Sequence, residues 1–98
     1  MMKIDKKAED NTLTISLDGR LDTNSSPILE QEIPDLSNIE NLIFDFEKLE
    51  YISSAGLRVI LSLQKTMANK GKMVIKNVND DVREVFDITG FSDILTIE

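Results

Sequence analysis

The chain has no cysteine, no histidine and no tryptophan, and only one tyrosine, two prolines and four glycines among its 98 residues. Without cysteine, neither disulfides nor a thiolate nucleophile can operate. Without histidine, the commonest general base and the commonest metal ligand are both missing. Positive charge is scarce as well: 11 Lys and Arg stand against 18 Asp and Glu, for a net charge of −7. Such a surface repels a phosphate-rich duplex, so nucleic acid is not an expected partner. No apolar run approaches the ~20 residues of a membrane span, and the N-terminus has no signal-peptide core. The expectation is a cytoplasmic protein without membrane insertion, without a cofactor or metal, and not an enzyme.

Apolar residues make up 41% and charged residues 30%, the balance of a soluble globular protein. The length fits one domain, residues 1–98. Lys3, Lys6 and Lys7 form a small basic cluster, but Glu9 and Asp10 follow at once. That pattern reads as a charged edge strand over Lys3–Ala8, turning at "EDN" into a second strand. "TLTISLDGRLD" alternates, with Leu13, Ile15 and Leu17 on one side and Thr12, Thr14 and Ser16 on the other. Ser26 and Pro27 predict a cap and first turn for a helix whose apolar side is Ile28, Leu29 and Ile33, ended by Pro34.

A compact apolar run predicts a buried strand at 42–46. Beyond Tyr51 the period becomes helical: Leu57, Ile60, Leu61, Gln64 and Ala68 share a face, broadened by Leu63 and Met67. Gly71 is placed to close that helix in a left-handed conformation. "KMVIKNV" predicts another strand. Asn79 or Asp80 can cap a third helix with Val82, Val85, Phe86 and Thr89 on one face, ended by Gly90. Phe91 should fold back over that end, and "ILTI" should add a last strand. The order is β-β-α-β-α-β-α-β, which argues for an α/β layer with a mixed, largely parallel sheet.

In such units, sites gather where a strand end feeds a helix start, and "GRLDTNSS" and "EYISSAGL" are the two such places. Ser53 or Ser54 can cap the second helix, or offer a hydroxyl where backbone N–H groups and the helix dipole favour an anion. Ala55 and Gly56 leave that hydroxyl uncrowded. A hydrolase-type nucleophile is disfavoured, because no histidine exists to activate it and "SSAGL" lacks the glycine of a nucleophile elbow. Asp22 either opens a turn or orients a hydroxyl. No glycine loop suited to phosphate exists: Gly19, Gly56, Gly71 and Gly90 read as turn or helix-end residues. The acidic pairs Asp80-Asp81 and Asp45/Glu47 read as caps or solvated surface.

Taken together, "GRLD" at 19–22, "LIFDFEKLEYISSAGLRVIL" and "VFDITGF" at 85–91 resemble the STAS domain. More narrowly, they resemble the bacterial anti-sigma factor antagonists (anti-anti-sigma factors). The resemblance covers essentially the whole chain, and "SSAGL" after a strand is its most specific part. It implies a single STAS-like α/β domain with a mixed, largely parallel sheet of four to five strands and three or more helices. In the family, one serine two residues before the Gly-Leu pair is phosphorylated by a partner that is both serine kinase and anti-sigma factor. Gly56-Leu57 puts that serine at Ser54. Ser53 stands where the family often has Asp, and is a second acceptor candidate. Asp22 matches the family's aspartate near the phosphorylation site.

The resemblance further implies a partner-binding surface of Ser54, Gly56, Leu57, Arg58, Asp22 and Thr23. It implies partner switching, in which the unphosphorylated domain binds the anti-sigma factor and releases a sigma factor. Phosphorylation ends that binding, and a serine phosphatase resets it. A second class is a STAS subunit that regulates or builds a transporter or sensory complex instead. An enzyme using Asp22 and Ser54 ranks last.

Overall fold

The computed structural model describes residues 2–98. Five strands and three helices follow the expected order: β1 Lys3–Glu9, β2 Thr12–Leu21, α1 Ser26–Glu32, β3 Asn41–Ile52, α2 Ser54–Ala68, β4 Lys72–Lys76, α3 Asp80–Thr89 and β5 Thr96–Ile97. A single 3-10 turn at Phe91–Asp93 joins α3 to β5. The sheet runs β1-β2-β3-β4-β5, with β1 antiparallel to β2 and every other pair parallel. Asp10 takes a left-handed conformation at φ 55° in the tight turn between β1 and β2. Each later step returns through a helix, as parallel pairing requires.

The two-residue alternation decides which face of the sheet is covered. Leu13, Ile15 and Leu17 are buried, whereas Thr12, Thr14 and Ser16 are only half-buried. Leu42, Phe44 and Phe46 continue the buried face on β3, and Met73 and Ile75 on β4. One apolar cluster joins these residues to Leu29 of α1, to Ile60 and Met67 of α2, and to Val82 and Phe86 of α3. The helices therefore cover one face, and the other stays open, with the half-buried Ile43 and Val74 among polar residues such as Thr12, Thr14 and Ser16. Phe46 sits at the centre. Its ring meets Phe44 edge-on at 5.8 Å and stacks on Phe86 at 6.4 Å. Phe91 packs against the same cluster, as expected.

Several local expectations are corrected. The buried strand predicted at 42–46 extends to Ile52, because β2 continues beside it through two register shifts. Ser25, not Ser26, precedes α1, and its hydroxyl accepts the Asp22 N–H instead of capping the helix. Ile28 is 49% exposed, since a seven-residue helix turns only one narrow stripe, centred on Leu29, to the core. On α2 the buried residues are Gly56, Leu57, Val59, Ile60, Leu63 and Met67, while Gln64 is half-buried and Ala68 exposed. Thr89 is exposed, and its hydroxyl donates back to the carbonyls of Val85 and Phe86. β4 ends at Lys76, where Asn77 turns left-handed at φ 60°. Of "ILTI", only Thr96 and Ile97 pair as a strand.

Gly71 does not take a left-handed conformation. Only Gly19 and Gly90 do so among the described glycines, at φ 116° and 81°. Gly71 is glycine for a steric reason: a Cβ there would run into the Glu40 carbonyl, with the carbonyl carbon at 2.7 Å. The backbones must meet because Lys72 N–H donates to that same carbonyl at 2.8 Å. Gly90, by contrast, ends α3 in open space.

These two glycines should respond differently to alanine. Gly90→Ala carries the left-handed cost alone, about 1 kcal/mol. Gly71→Ala forces backbone apart and should cost about 3 kcal/mol, the upper end of overpacking. Urea midpoints at unchanged slope measure both, and equal losses would contradict the steric account.

Candidate functional site

Parallel pairing of β2 with β3 places Leu21 opposite Ile52, so the segments after both strands emerge together at one rim. Ser53 N–H donates to the Leu21 carbonyl at 2.9 Å and ties the start of α2 to the end of β2. The "LDTNSS" turn is built on Asp22. Its carboxylate accepts N–H groups from Asn24 and Ser25, both at 3.0 Å, and lies 3.1 Å from the Ser25 hydroxyl. That hydroxyl donates to the Arg20 carbonyl at 2.6 Å. Ser26 bonds the Asp22 carbonyl through both its N–H and its hydroxyl. The Ser25 N–H, above all, holds the Asp22 carboxyl below its ordinary range, helped by the Ser25 hydroxyl, the Asn24 N–H and the charge of Arg20. The turn-forming role of Asp22 is thus the one its contacts display.

The two serines divide the helix start between them. Ser53 is the cap, extended at φ −96° and ψ 175°, and its side chain accepts from Gly56 N–H at 3.3 Å. Ser54 is the first helical residue and is exposed, and its hydroxyl has no hydrogen-bond partner among the described residues. No acidic side chain lies in the first turn of α2, whereas α3 already carries Asp80 and Asp81 there. The positive end of the α2 dipole is therefore free to stabilise an added anion.

The other expected residues separate by burial. Thr23 and Arg58 are exposed at the rim, beside the partly exposed Asp22. Gly56 and Leu57, expected on the partner-binding surface, are buried, Leu57 to 6% exposure, and fix the helix start. Arg20 and Tyr51 were not singled out from the sequence. They pair across β2 and β3, with the Arg20 guanidinium 4.2 Å from the centre of the Tyr51 ring. Their position next to the inward-facing Leu21 and Ile52 was the available signal. Among the described residues, no group of three or more acidic, histidine or cysteine side chains is disposed to hold a metal ion. Nor is any helix among the described residues long and apolar enough to cross a membrane.

Comparison with known proteins agrees with this architecture. A candidate anti-sigma factor antagonist of Bordetella bronchiseptica, BtrV, is 33% identical over 98% of this chain and 85% of its own length. The crystal structure of an anti-sigma factor antagonist from Mycobacterium paratuberculosis superposes with a TM-score of 0.88 at 18% identity, over 99% of this chain and 85% of that one. The phosphorylated form of the Bacillus cell-fate determinant SpoIIAA superposes with a TM-score of 0.76 at 21% identity, over 98% of this chain and 91% of that one. The family model described as the STAS domain matches residues 3–98, and the chain belongs to that family.

Proposed function

We propose that this chain is an anti-sigma factor antagonist that works by partner switching. It binds an anti-sigma factor that is also a serine kinase, releases the sigma factor, and is switched off when Ser54 is phosphorylated. The observation that carries this reading is the division of labour at α2: Ser53 caps the helix, which leaves the Ser54 hydroxyl exposed and unbonded. The similarity to the Bordetella candidate anti-sigma factor antagonist supports it. So does the existence of a phosphorylated protein with this fold.

In the transfer, Ser54 Oγ attacks the γ-phosphorus of ATP. The bond to the bridging oxygen breaks, ADP leaves, and a base on the kinase takes the hydroxyl proton. The product carries about −1.5 to −2 charges at physiological pH. Free N–H groups and the dipole of α2 accommodate that charge within the fold, so the switch acts at the surface. A partner docked on the rim must then desolvate a dianion or oppose it with its own acids. Losing ~2–3 kcal/mol there weakens binding roughly 30- to 150-fold.

The anti-sigma kinase retained by the native chain, identified by mass spectrometry and purified, provides the test. With ATP, wild type and Ser53→Ala should be phosphorylated and Ser54→Ala should not. Undiminished phosphorylation of Ser54→Ala, or retention of transporter subunits and no kinase, overturns the proposal. Ser54→Asp should weaken kinase binding in calorimetry while its melting temperature stays at or above that of wild type.

The Asp22 turn makes a separate expectation. Its carboxyl is acidified in the fold, so its contribution to stability is fully present above the ordinary value of 3.8 and disappears as pH falls through the lower folded value. Asp22→Ala should therefore lower the melting temperature at neutral pH and weaken kinase binding. The melting difference from wild type should shrink in strong acid, and a pH-independent difference would contradict that account.

A further inference from the structure

Beside the rim that carries Ser54, Arg20 and Tyr51 form a contact of their own. Arg20 and Tyr51 lie on the sheet face opposite the helices, because their neighbours Leu21 and Ile52 turn into the core. Tyr51, the only tyrosine, is 40% exposed, yet its ring is covered by the Arg20 guanidinium at 4.2 Å. A guanidinium held on an aromatic face keeps its N–H groups directed outward around its edge. Among the described residues, no hydrogen bond or ion pair occupies the Arg20 side chain. The core does not need either side chain. The Arg20 charge acts on the Asp22 carboxylate, but its stacked N–H groups are left unbonded and able to take a planar anion.

We propose that Arg20, positioned by Tyr51, receives a carboxylate of the anti-sigma factor kinase and selects the partner by charge. This rests on the partner-switching reading and adds the chemistry of the partner. The fork matches a carboxylate bidentately, and stacking removes part of the entropy that an exposed arginine loses on binding. Arg and Tyr are also the residue types that dominate interface energies. Arg20 offers a partner's acidic group a cationic landing point at the end of β2, opposite Tyr51, which lies three residues before Ser54. A carboxylate docked on Arg20 would then stand close to a phosphate on Ser54. The same acidic group that gives affinity before phosphorylation supplies repulsion after it.

Calorimetry of the purified kinase retained by wild type, at two salt concentrations, tests this. Arg20→Gln should weaken binding about tenfold and flatten its salt dependence, a hot-spot effect. Tyr51→Leu should weaken binding about threefold through loss of positioning, and Tyr51→Phe should restore it because the ring face is kept. Unchanged circular dichroism and melting temperature separate these effects from folding. Binding of Arg20→Gln within twofold of wild type, while Ser54→Asp still weakens it, overturns this inference alone. Failure of wild type to retain any kinase, or binding indifferent to Ser54→Asp, overturns the partner-switching reading and this inference with it.

Discussion

The start of α2 approaches the ends of β2 and β3 so closely that no side chain fits between them. A Cβ at Gly56 would lie 2.8 Å from Leu21 Cγ and 2.9 Å from Ile52 Cγ1, inside any tolerated contact. Glycine there is required by proximity and not by backbone angle. This single approach fixes the rotation of the helix about its axis. With Gly56 against the strands, Leu57 and Ile60 enter the core, while Ser54 and Arg58 must face outward. One residue of slip would rotate every side chain by about 100° and turn Ser54 toward the apolar layer. Exposure of the Ser54 hydroxyl is therefore a consequence of core packing. The Ser53 N–H bond to the Leu21 carbonyl and the Ser53 cap on Gly56 N–H hold the same geometry from the backbone side.

Much of this was readable in the chain because the signals are local. The alternation of Leu13, Ile15 and Leu17, the Asn79 cap and Gly90 after Thr89 each specify structure within a few residues. The start of α2 at the two serines was readable too, since the period turns helical just after them. What escaped was whatever depends on a distant neighbour. Gly71 is glycine because Glu40 passes across it, and nothing in the local sequence announces that crossing. The end of β3 is charged and does not alternate, yet it remains strand because β2 pairs with it through shifts at Ser16/Asp18 and Gly19/Arg20. The second shift also brings Arg20 opposite Tyr51. A reading of either strand alone could not find that pair.

Under the proposed switch, the serine at position 53 changes how strongly a phosphate on Ser54 would act. Asp and Ser are about equally good helix caps, so replacing the family's common Asp by Ser53 leaves the end of α2 as well satisfied as before. It does, however, remove a negative charge from directly beside Ser54. The unmodified rim then presents Arg20 and Arg58 against Asp22, with no carboxylate in the first turn of the helix. A partner with an acidic contact group meets an attractive surface at that stage. Adding about two negative charges reverses the sign of the rim instead of deepening a charge already present. Two adjacent serines of the same chemistry thus do different work, one by being bonded and one by being free. Under the proposed switch, the departure from the family's usual residue would make the electrostatic change on phosphorylation larger relative to the state it starts from.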